Sequence, residues 1–487
     1  MKNQIITFLL CLPLIGAGQN QNLSSGIIFD GEPFIVINPN NNQHMVVAWM
    51  GYKWQEGIVI KTIATFDAGQ NWSAFNSIAH TNPIYSSADP SIEFDNNGNL
   101  FLSYVDYSAS IDSGAIYMVK SVDGGLNWQN PVEVINAQSD AGKYPIDRPW
   151  ISIDRSGGVY EGVIYITSMS PKVFGPLTPP FHPYFMYSTN AGQSFNNWRY
   201  LDTINFLAGN TIQQPMSTHC VSSNGTFHAI YPSYLTSQSL YPQYILASTS
   251  TVGNNFNYNI ALQNANPLTD PLMKKGYLLI SNPTNENHLV LIFLSVMYGD
   301  EDVLIIESFD EGANWTSPIR INDDIIGNGK MQDLVWSDFD SDGDLVITWR
   351  DRRNSSSNGY QTESEIWASV RWKDSTNFSP NFNITSQQVA YDSVLAEKGN
   401  DFMCVAVEND TLNAVWGDTR NGKLNIWFQR MSLQNGTVNS IQNISDNKHK
   451  QLILIVDEIG RESKPRKNIP LFYIFDDGTV EKRIVTE

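Results

Sequence analysis

The sequence predicts an all-β chain: a β-propeller of seven four-stranded blades, or six if the poorly defined fourth repeat is not a blade, followed by a small β-rich module. Three observations carry this. An eight-residue pattern, Ser/Thr-x-Asp-x-Gly-x-x-Trp, occurs intact as TFDAGQNW (Thr65–Trp72), SVDGGLNW (Ser121–Trp128) and SFDEGANW (Ser308–Trp315), with weakened copies at Ser188–Phe195 and Thr249–Phe256. It sits at a fixed place in a unit of about 55–67 residues, and such internal periodicity is the signature of a repeat architecture. The 487 residues are 12% aromatic and 16% charged and include 33 Gly and 23 Pro, which suits many short strands joined by tight turns rather than disorder or a coiled coil.

In order, the chain opens with Lys2, an apolar run Ile5–Ile15 and Gly16-Ala17-Gly18, the layout of a secretory signal peptide over residues 1–18. A lipoprotein reading would lipidate Cys11, but Leu10 stands where a small residue is needed. The propeller is expected over residues 25–442. Its units open at Glu32-Pro33, Asp89-Pro90, Asp147-Arg148-Pro149, Gln214-Pro215, near Gly276, near Asp333 and near Asp401. Each continues as an apolar strand, a turn rich in Asn, Asp and Gly, a second strand ending in an aromatic residue, a loop, a third strand, the turn motif and a fourth strand. In the motif the Asp carboxylate can accept backbone N–H bonds, the Gly supplies a positive φ, and the aromatic buries a large apolar area at the start of the next strand. The seventh unit has room for only three strands, and SGIIFD (Ser25–Asp30) is the expected closing strand. Residues 446–487 lack the motif, carry Asp476-Asp477-Gly478 as a hairpin signal, and form a separate module.

Net charge is −19; residues 446–487 are balanced at eight basic and eight acidic side chains, so the excess lies wholly in residues 1–445. An acidic body of this kind repels phosphate backbones and excludes nucleic acid as a natural partner. No later apolar run is long enough to span a bilayer. Cys220 and Cys404 fall three repeats apart and are read as buried, unpaired residues. The string Asp338-x-Asp340-x-Asp342-Gly343 begins like a calcium loop, but Trp349 holds the twelfth place and the string aligns with EFDNNGNL (residues 93–100), so it reads as a hairpin turn and no metal or other cofactor is expected. The long Pro-rich loop Pro171–Pro183 is placed over the channel face, as a lid, a recognition loop or a stiff connection.

The turn motif is similar to the Asp-box of BNR repeats, and the chain resembles the sialidase-like propeller superfamily over about 400 residues. By that resemblance the motif, with Asp67, Asp123, Asp310, Trp72, Trp128 and Trp315, is structural and lies on the face away from any active site. Residues before first strands and after second strands share the opposite face. There stand Asp89, Asp147 and Arg148, then Tyr52 and Trp54, then Arg350, Arg352, Arg353 and Arg420. Sialidases grip a sugar carboxylate with three arginines, whose planar forks match it bidentately; the resemblance implies a triad of Arg148, one of Arg350, Arg352 or Arg353, and Arg420, with Asp89 or Asp147 as the acid. The chain departs from the pattern at Gly31-Glu32-Pro33, where an Arg-Ile-Pro is expected, and has no convincing partner Tyr. Each Arg of WRDRR and WGDTR also stands beside an Asp, so ion pairs that fix loops are an alternative reading, while Tyr52 and Trp54, beyond the strand, suit ligand stacking. The resulting expectation is a secreted propeller that binds a glycan or another extracellular ligand at the channel face; the alternatives are an exo-acting glycoside hydrolase of sialidase type and a non-catalytic adhesion or scaffold propeller. The C-terminal stretch, in VDEIGRE and LFYIFDDGTVEKRI, resembles the sorting modules of Bacteroidetes proteins exported by the type IX route, which implies the export machinery as a partner and the cell surface or exterior as the destination.

Overall fold

The computed structural model describes residues 20–26, 28–171, 182–202, 216–233, 243–263, 276–392, 400–433 and 439–440, and parts of 452–484. The signal-like leader, the Gln214-Pro215 opening, most of the Pro-rich loop and the Asp476–Gly478 turn lie outside them.

Every regular element among the described residues is a strand, and the strands form seven antiparallel blades. After β1 (Gln21–Asn22), blade 1 comprises β2 (Asp30–Asn38), β3 (Asn41–Lys53), β4 (Gly57–Thr65) and β5 (Asn76–Ser77). Blade 2 comprises β6 (Ser86–Phe94), β7 (Leu100–Tyr107), β8 (Gly114–Ser121) and β9 (Val132–Asn136). Blade 3 holds β10 (Asp147–Ile153), β11 (Ile164–Met169), β12 (Tyr184–Ser188) and β13 (Arg199–Tyr200). Blade 4, the most degenerate in sequence, is nonetheless complete, with β14 (Thr218–Val221), β15 (Phe227–Ser233), β16 (Gln243–Thr249) and β17 (Asn257–Gln263). Blade 5 has β18 (Tyr277–Ser281), β19 (Leu289–Ser295), β20 (Asp302–Ser308) and β21 (Ile319–Arg320). Blade 6 has β22 (Gln332–Phe339), β23 (Leu345–Asp351), β24 (Glu365–Arg371) and β25 (Phe382–Asn383). Blade 7 has β26 (Cys404–Val407), β27 (Thr411–Asp418) and β28 (Asn425–Ser432). First strands of successive blades contact one another around the axis, so they are the innermost.

Blade 7 is closed by the N-terminal segment, but not by the residues the sequence suggested. Gln21 and Asn22 of β1 pair with Phe428 and Trp427 of β28, and β29 (Asn439–Ser440) pairs further along the same strand. Asp30 instead belongs to blade 1, opposite Gly51, and Phe29 makes only an isolated bridge to Leu424. Leu23 N–H still donates to the Ile426 carbonyl at 2.8 Å, which extends the seam. The apolar look of SGIIFD reflects the approach to the first inner strand; the seam is a short polar edge held by backbone bonds.

The turn motif works through local hydrogen bonds. In SVDGGLNW the Ser121 hydroxyl donates to Asp123 Oδ1 at 2.8 Å and accepts Gly125 N–H at 2.9 Å. Asn127 closes the turn by donating its backbone N–H to Oδ1 and its Nδ2 to Oδ2 of Asp123, at 2.9 and 2.7 Å. The same bonds recur around Asp67 and Asp310, and Asn190 reproduces them in the weakened copy. The glycine does more than supply a positive φ. A Cβ on Gly125 would lie 3.1 Å from Val46 of blade 1, one on Gly192 2.2 Å from Met118 of blade 2, and one on Gly312 2.1 Å from Leu246 of blade 4. Each motif therefore seats its bare backbone against the preceding blade, and Trp128 adds an indole bond to Thr62 of blade 1 at 3.0 Å.

Neither Cys220 nor Cys404 forms a disulfide; Cys404 is buried as expected, whereas Cys220 is half-buried. No helix among the described residues is long and apolar enough to cross a membrane. Residues 441–487 form a second compact unit, a three-stranded antiparallel sheet of β30 (Leu452–Val456), β31 (Pro470–Phe475) and β32 (Val480–Ile484) with Leu471 and Tyr473 buried.

Candidate functional site at the channel mouth

One backbone device builds the mouth of the channel. In blades 1, 2, 3 and 6 the innermost strand slips register at the same place, between Gly31 and Phe34, Ala88 and Ser91, Asp147 and Trp150, and Asp333 and Trp336. The residue that opens each bulge has a left-handed backbone: Glu32 (φ 57°), Asp89 (φ 52°), Arg148 (φ 48°) and Leu334 (φ 57°). Non-glycine residues rarely adopt this conformation, and strain of this kind persists only where the surroundings enforce it. Pro33, Pro90 and Pro149 follow, tolerated because a bulge on an edge strand asks for no ladder N–H there. The bulges bring three charged side chains to one rim.

Below the rim, Phe34, Trp150, Trp336 and Phe402, from blades 1, 3, 6 and 7, meet across the axis with ring centroids 5.0–6.3 Å apart. This aromatic plug closes the channel. The hollow that Phe34, Trp150 and Phe402 share with Asp89 and Arg148 is too tight for a water molecule, so any ligand meets the cluster from the outer side.

Arg148 is the centre of that cluster. Its Nη2 donates to Asp401 Oδ2 at 2.8 Å, a bond that spans the channel from blade 3 to the entry of blade 7, and the pair keeps 20% and 28% side-chain exposure. Nη1 lies 3.1 Å from Met216 Sδ. Four carboxyls surround this guanidinium: Glu32, Asp89, Asp147 and Asp401. Burial, then the charges of Asp89 and Asp401, holds the Glu32 carboxyl well above the usual range, against the pull of Arg148. Asp147 is raised in the same way, by withdrawal from water, then by Asp89, with which it and Glu32 both share a hydrogen bond. Two carboxyls whose ionisation is disfavoured therefore bracket Asp89, as expected where like charges crowd a low-dielectric site. Tyr107 stands by them, its phenol pushed up by burial and by the charges of Asp89, Asp147 and Glu32. Such a phenol is a hydrogen-bond donor and a poor nucleophile.

The other predicted arginines do not join this site. Arg350 donates through Nε to Asp333 Oδ1 at 2.8 Å and through Nη2 to Asp333 Oδ2 and to the Tyr360 hydroxyl. Arg352 donates to Asp333 at 3.1 Å and to the Tyr360 carbonyl at 2.9 Å, and both arginines are 2% exposed. Arg353 grips Asp351 at 2.8 Å and Asp323 at 2.6 Å, with its guanidinium 4.1 Å from the Trp367 ring centre. Arg420 grips Asp418 at 2.5 Å and stacks 4.4 Å from Trp427. The last two are one construction made twice, since the indoles of Trp349 and Trp416 donate to the same carboxylates at 2.6 and 2.8 Å. Blade 1 repeats it with different parts: Gly51 leaves the room that the Asp30 carboxylate fills, and Trp49 and Lys61 donate to it at 2.7 and 2.9 Å. In blade 2 His80 takes the place of the base, 2.7 Å from Asp106, whose hydrogen bond raises the imidazole above its ordinary value.

Tyr52 is not beyond the strand as expected: it is half-buried within β3, paired with Ile58, while Trp54 follows on the loop and is 73% exposed. In the calcium-like string, Asp338 accepts backbone N–H from Phe339 and Val407, Asp340 accepts that of Asp410, and Asp342 pairs with Lys373, so the three carboxylates serve separate partners. Among the described residues no group of three His, Cys, Asp or Glu could hold a metal ion. Sequence reasoning placed Asp401 and Glu32 on this face without a role and missed Tyr107; only the bulge register and the partner across the channel give them one.

No protein-family model matches the chain, and no curated protein matches it. Solved structures do. The NanB sialidase (K499G mutant) of Streptococcus pneumoniae is 11% identical with a TM-score of 0.43, covering 86% of this chain and 71% of its own. An α-L-arabinanase of Penicillium chrysogenum is 11% identical with a TM-score of 0.47, covering 86% and 99%. The α-L-arabinofuranosidase Arb93A of Fusarium graminearum is 12% identical with a TM-score of 0.48, covering 86% and 99%. These likenesses concern fold alone.

Proposed function

We propose that the chain is an exported propeller that binds a neutral glycan at the channel mouth, over the Arg148–Asp401 pair. The observation that carries this is the pair itself: a partly exposed ion bridge across the axis, seated on strained bulges and backed by the raised carboxyls of Glu32 and Asp147. An Arg and an Asp side by side offer donors and acceptors to vicinal sugar hydroxyls, and Tyr52 and Trp54 supply aromatic surface on the same face. An acidic sugar suits the site poorly, because four carboxyls surround one guanidinium and Arg350, Arg352, Arg353 and Arg420 are spent on Asp333, Asp351 and Asp418. Export rests on the leader and on the C-terminal resemblance to type IX sorting modules.

A glycan panel tests the reading. Binding of neutral oligosaccharides should fall at least about tenfold in Arg148→Ala and in Asp401→Asn, the loss of a charge-assisted bond. Retention of binding in both variants overturns the site, and turnover of a fluorogenic sialoside overturns the preference for a neutral sugar. A second reading, a glycoside hydrolase, is favoured by the raised carboxyls of Glu32 and Asp147 beside Asp89, the pairing of an acid with a second carboxyl. Hydrolysis of neutral aryl glycosides that is lost in Asp147→Asn would establish it.

A further inference from the structure

The turn between β3 and β4, which carries Trp54, is tied to the neighbouring blade by a single side chain. Lys53 and Gly57 pair at the base of this hairpin. Within it Glu56 N–H donates to the Lys53 carbonyl at 3.2 Å, and Lys53 Nζ reaches the Glu56 carboxylate and Ser77 Oγ, both at 2.8 Å. Gln55, at the tip, has a left-handed backbone (φ 68°), which a non-glycine residue keeps only where its surroundings hold it. Trp54 leaves 73% of its surface in water, so its position follows that of the turn. Among the described residues, one hydrogen bond ties residues 54–56 to anything outside the hairpin: that between the Glu56 carbonyl and His80 Nε2, at 3.0 Å.

His80 lies between the last strand of blade 1 and the first of blade 2, with its side chain only 4% exposed. Both of its ring nitrogens face acceptors. Nδ1 stands 2.7 Å from Asp106 Oδ1, on a carboxylate that is met by donors at each oxygen: Ser87 Oγ at 3.0 Å on Oδ1, and Thr81 N–H and Oγ1, each at 2.7 Å, on Oδ2. Nε2 faces a backbone carbonyl, which can only accept. A neutral imidazole has one N–H and cannot serve both, so the geometry calls for the imidazolium. The charged groups that face the ring are Asp106 from β7 and Glu56 from the turn, the latter paired with Lys53. Ser87 of β6 lies 3.2 Å from Nδ1, and the Tyr117 phenol of β8 is bonded to Thr81 beside it. The bond to Asp106 raises the imidazole above its ordinary value of 6.5, against the pull of burial, and the Asp106 charge and the Glu56 carbonyl add to the rise. On deprotonation the charge-assisted bond to Asp106 keeps the remaining N–H on Nδ1, and Nε2 turns a lone pair towards the Glu56 carbonyl. The tie is therefore complete below pH 6.5 and lost as pH rises through the raised value.

We infer that His80 is a positioning residue: as an imidazolium it clasps the Trp54 turn of blade 1 to blade 2, and loss of its proton releases the turn. The consequence for ligand binding rests on the glycan reading above; the clasp itself does not. It is tested on the ligand-free full chain by ¹⁹F NMR after 5-fluorotryptophan labelling, with Trp54→Phe assigning the resonance. In the wild-type chain the Trp54 signal should shift with a midpoint above pH 6.5, and in His80→Gln it should stay flat at the alkaline position of the wild type. Histidine ¹⁵N labelling should place the same midpoint on the His80 ring, with the proton lost from Nε2. A Trp54 signal that does not move between about pH 5.5 and 10 overturns the inference without any variant, should His80→Gln fail to fold; so does a shift that survives His80→Gln unchanged. Over the same range wild-type affinity for a neutral oligosaccharide should fall at least about threefold, the cost of ordering a freed aromatic side chain, while His80→Gln shows no such fall. A chain that binds no glycan but whose Trp54 signal titrates through His80 would sink the glycan reading and support the clasp.

Discussion

Replacing Arg420 by Ala separates a structural arginine from a ligand-gripping one. The guanidinium is nearly enclosed, with side-chain exposures of 6% for Arg420 and 4% for Asp418. It donates to both Asp418 oxygens, to Asn20 Oδ1 at 2.7 Å and to Ser386 Oγ at 3.2 Å. Removing it strands a buried carboxylate, which costs about 3–5 kcal/mol. Asp418 keeps the indole of Trp416 and the backbone N–H of residue 420, so the lower end, about 3 kcal/mol, applies. With an unfolding entropy of about 2.1 cal/mol/K per residue, a propeller of about 420 residues loses roughly 3–4 °C in Tm. The assay pairs a thermal melt with glycan binding at room temperature: Tm should fall while affinity stays within about twofold. Asp418→Asn on the Arg420→Ala background should recover part of the loss, because no charge is then left buried. An unchanged Tm with lost binding would refute the reasoning and return Arg420 to the ligand.

Other consequences follow from buried charges and from the seam. Burial pushes the Asp338 carboxyl up to about 7 from 3.8, so the folded state resists its ionisation: stability is greatest below pH 3.8, falls as pH rises towards 7 and levels off above it. Asp338→Asn should therefore raise Tm at pH 8 relative to its effect at pH 4, a comparison that two melts make. Glu307 is the opposite case: burial would raise it, but hydrogen bonds from His288 and Arg371 pull it down to about 2 from 4.5, so its contribution is present above pH 4.5 and lost as pH falls through 2. Glu307→Gln should lower Tm at neutral pH and make little difference near pH 2, where the wild-type carboxyl also takes a proton. Removing the chain up to Ser24 deletes β1 together with the bonds from Asn20 to Ile384, Gln429 and Ser386, and should lower Tm by several degrees; an unchanged melt would show that blade 7 needs no seam.

What was legible in the sequence is what is local in the chain. The turn motif closes its hydrogen bonds within seven residues, from Ser121 to Asn127, so its spacing could be read directly and set the blade register. The pairs Asp351–Arg353 and Asp418–Arg420 are two residues apart, and the ion-pair reading of WRDRR and WGDTR could be made from that adjacency. The illegible parts are non-local. A two-residue edge strand such as Gln21–Asn22 has no hydrophobic pattern to betray it, because backbone bonds to a strand some 400 residues away hold it in place. Arg148 and Asp401 stand 253 positions apart, and nothing in either neighbourhood names the other.

The number of arginines on a propeller face is therefore a poor measure of its appetite for acidic ligands. Four blades tie down the end of the second strand with a carboxylate and a basic side chain, and the base is Lys61, His80, Arg353 or Arg420. Such a bond lies within one blade or between neighbouring segments at its edge, is shielded from water, and is chemically indifferent to which base supplies the charge. The Arg148–Asp401 bridge differs on each count. It crosses the axis between blades that are not neighbours, keeps about a quarter of its surface in water, and rests on backbone strain rather than relieving it. A ligand hydroxyl can compete for either partner of such a bridge without dismantling a blade. Binding at that pair can be selected without loss of the fold, which is the condition a site must meet and the buried pairs of blades 6 and 7 do not.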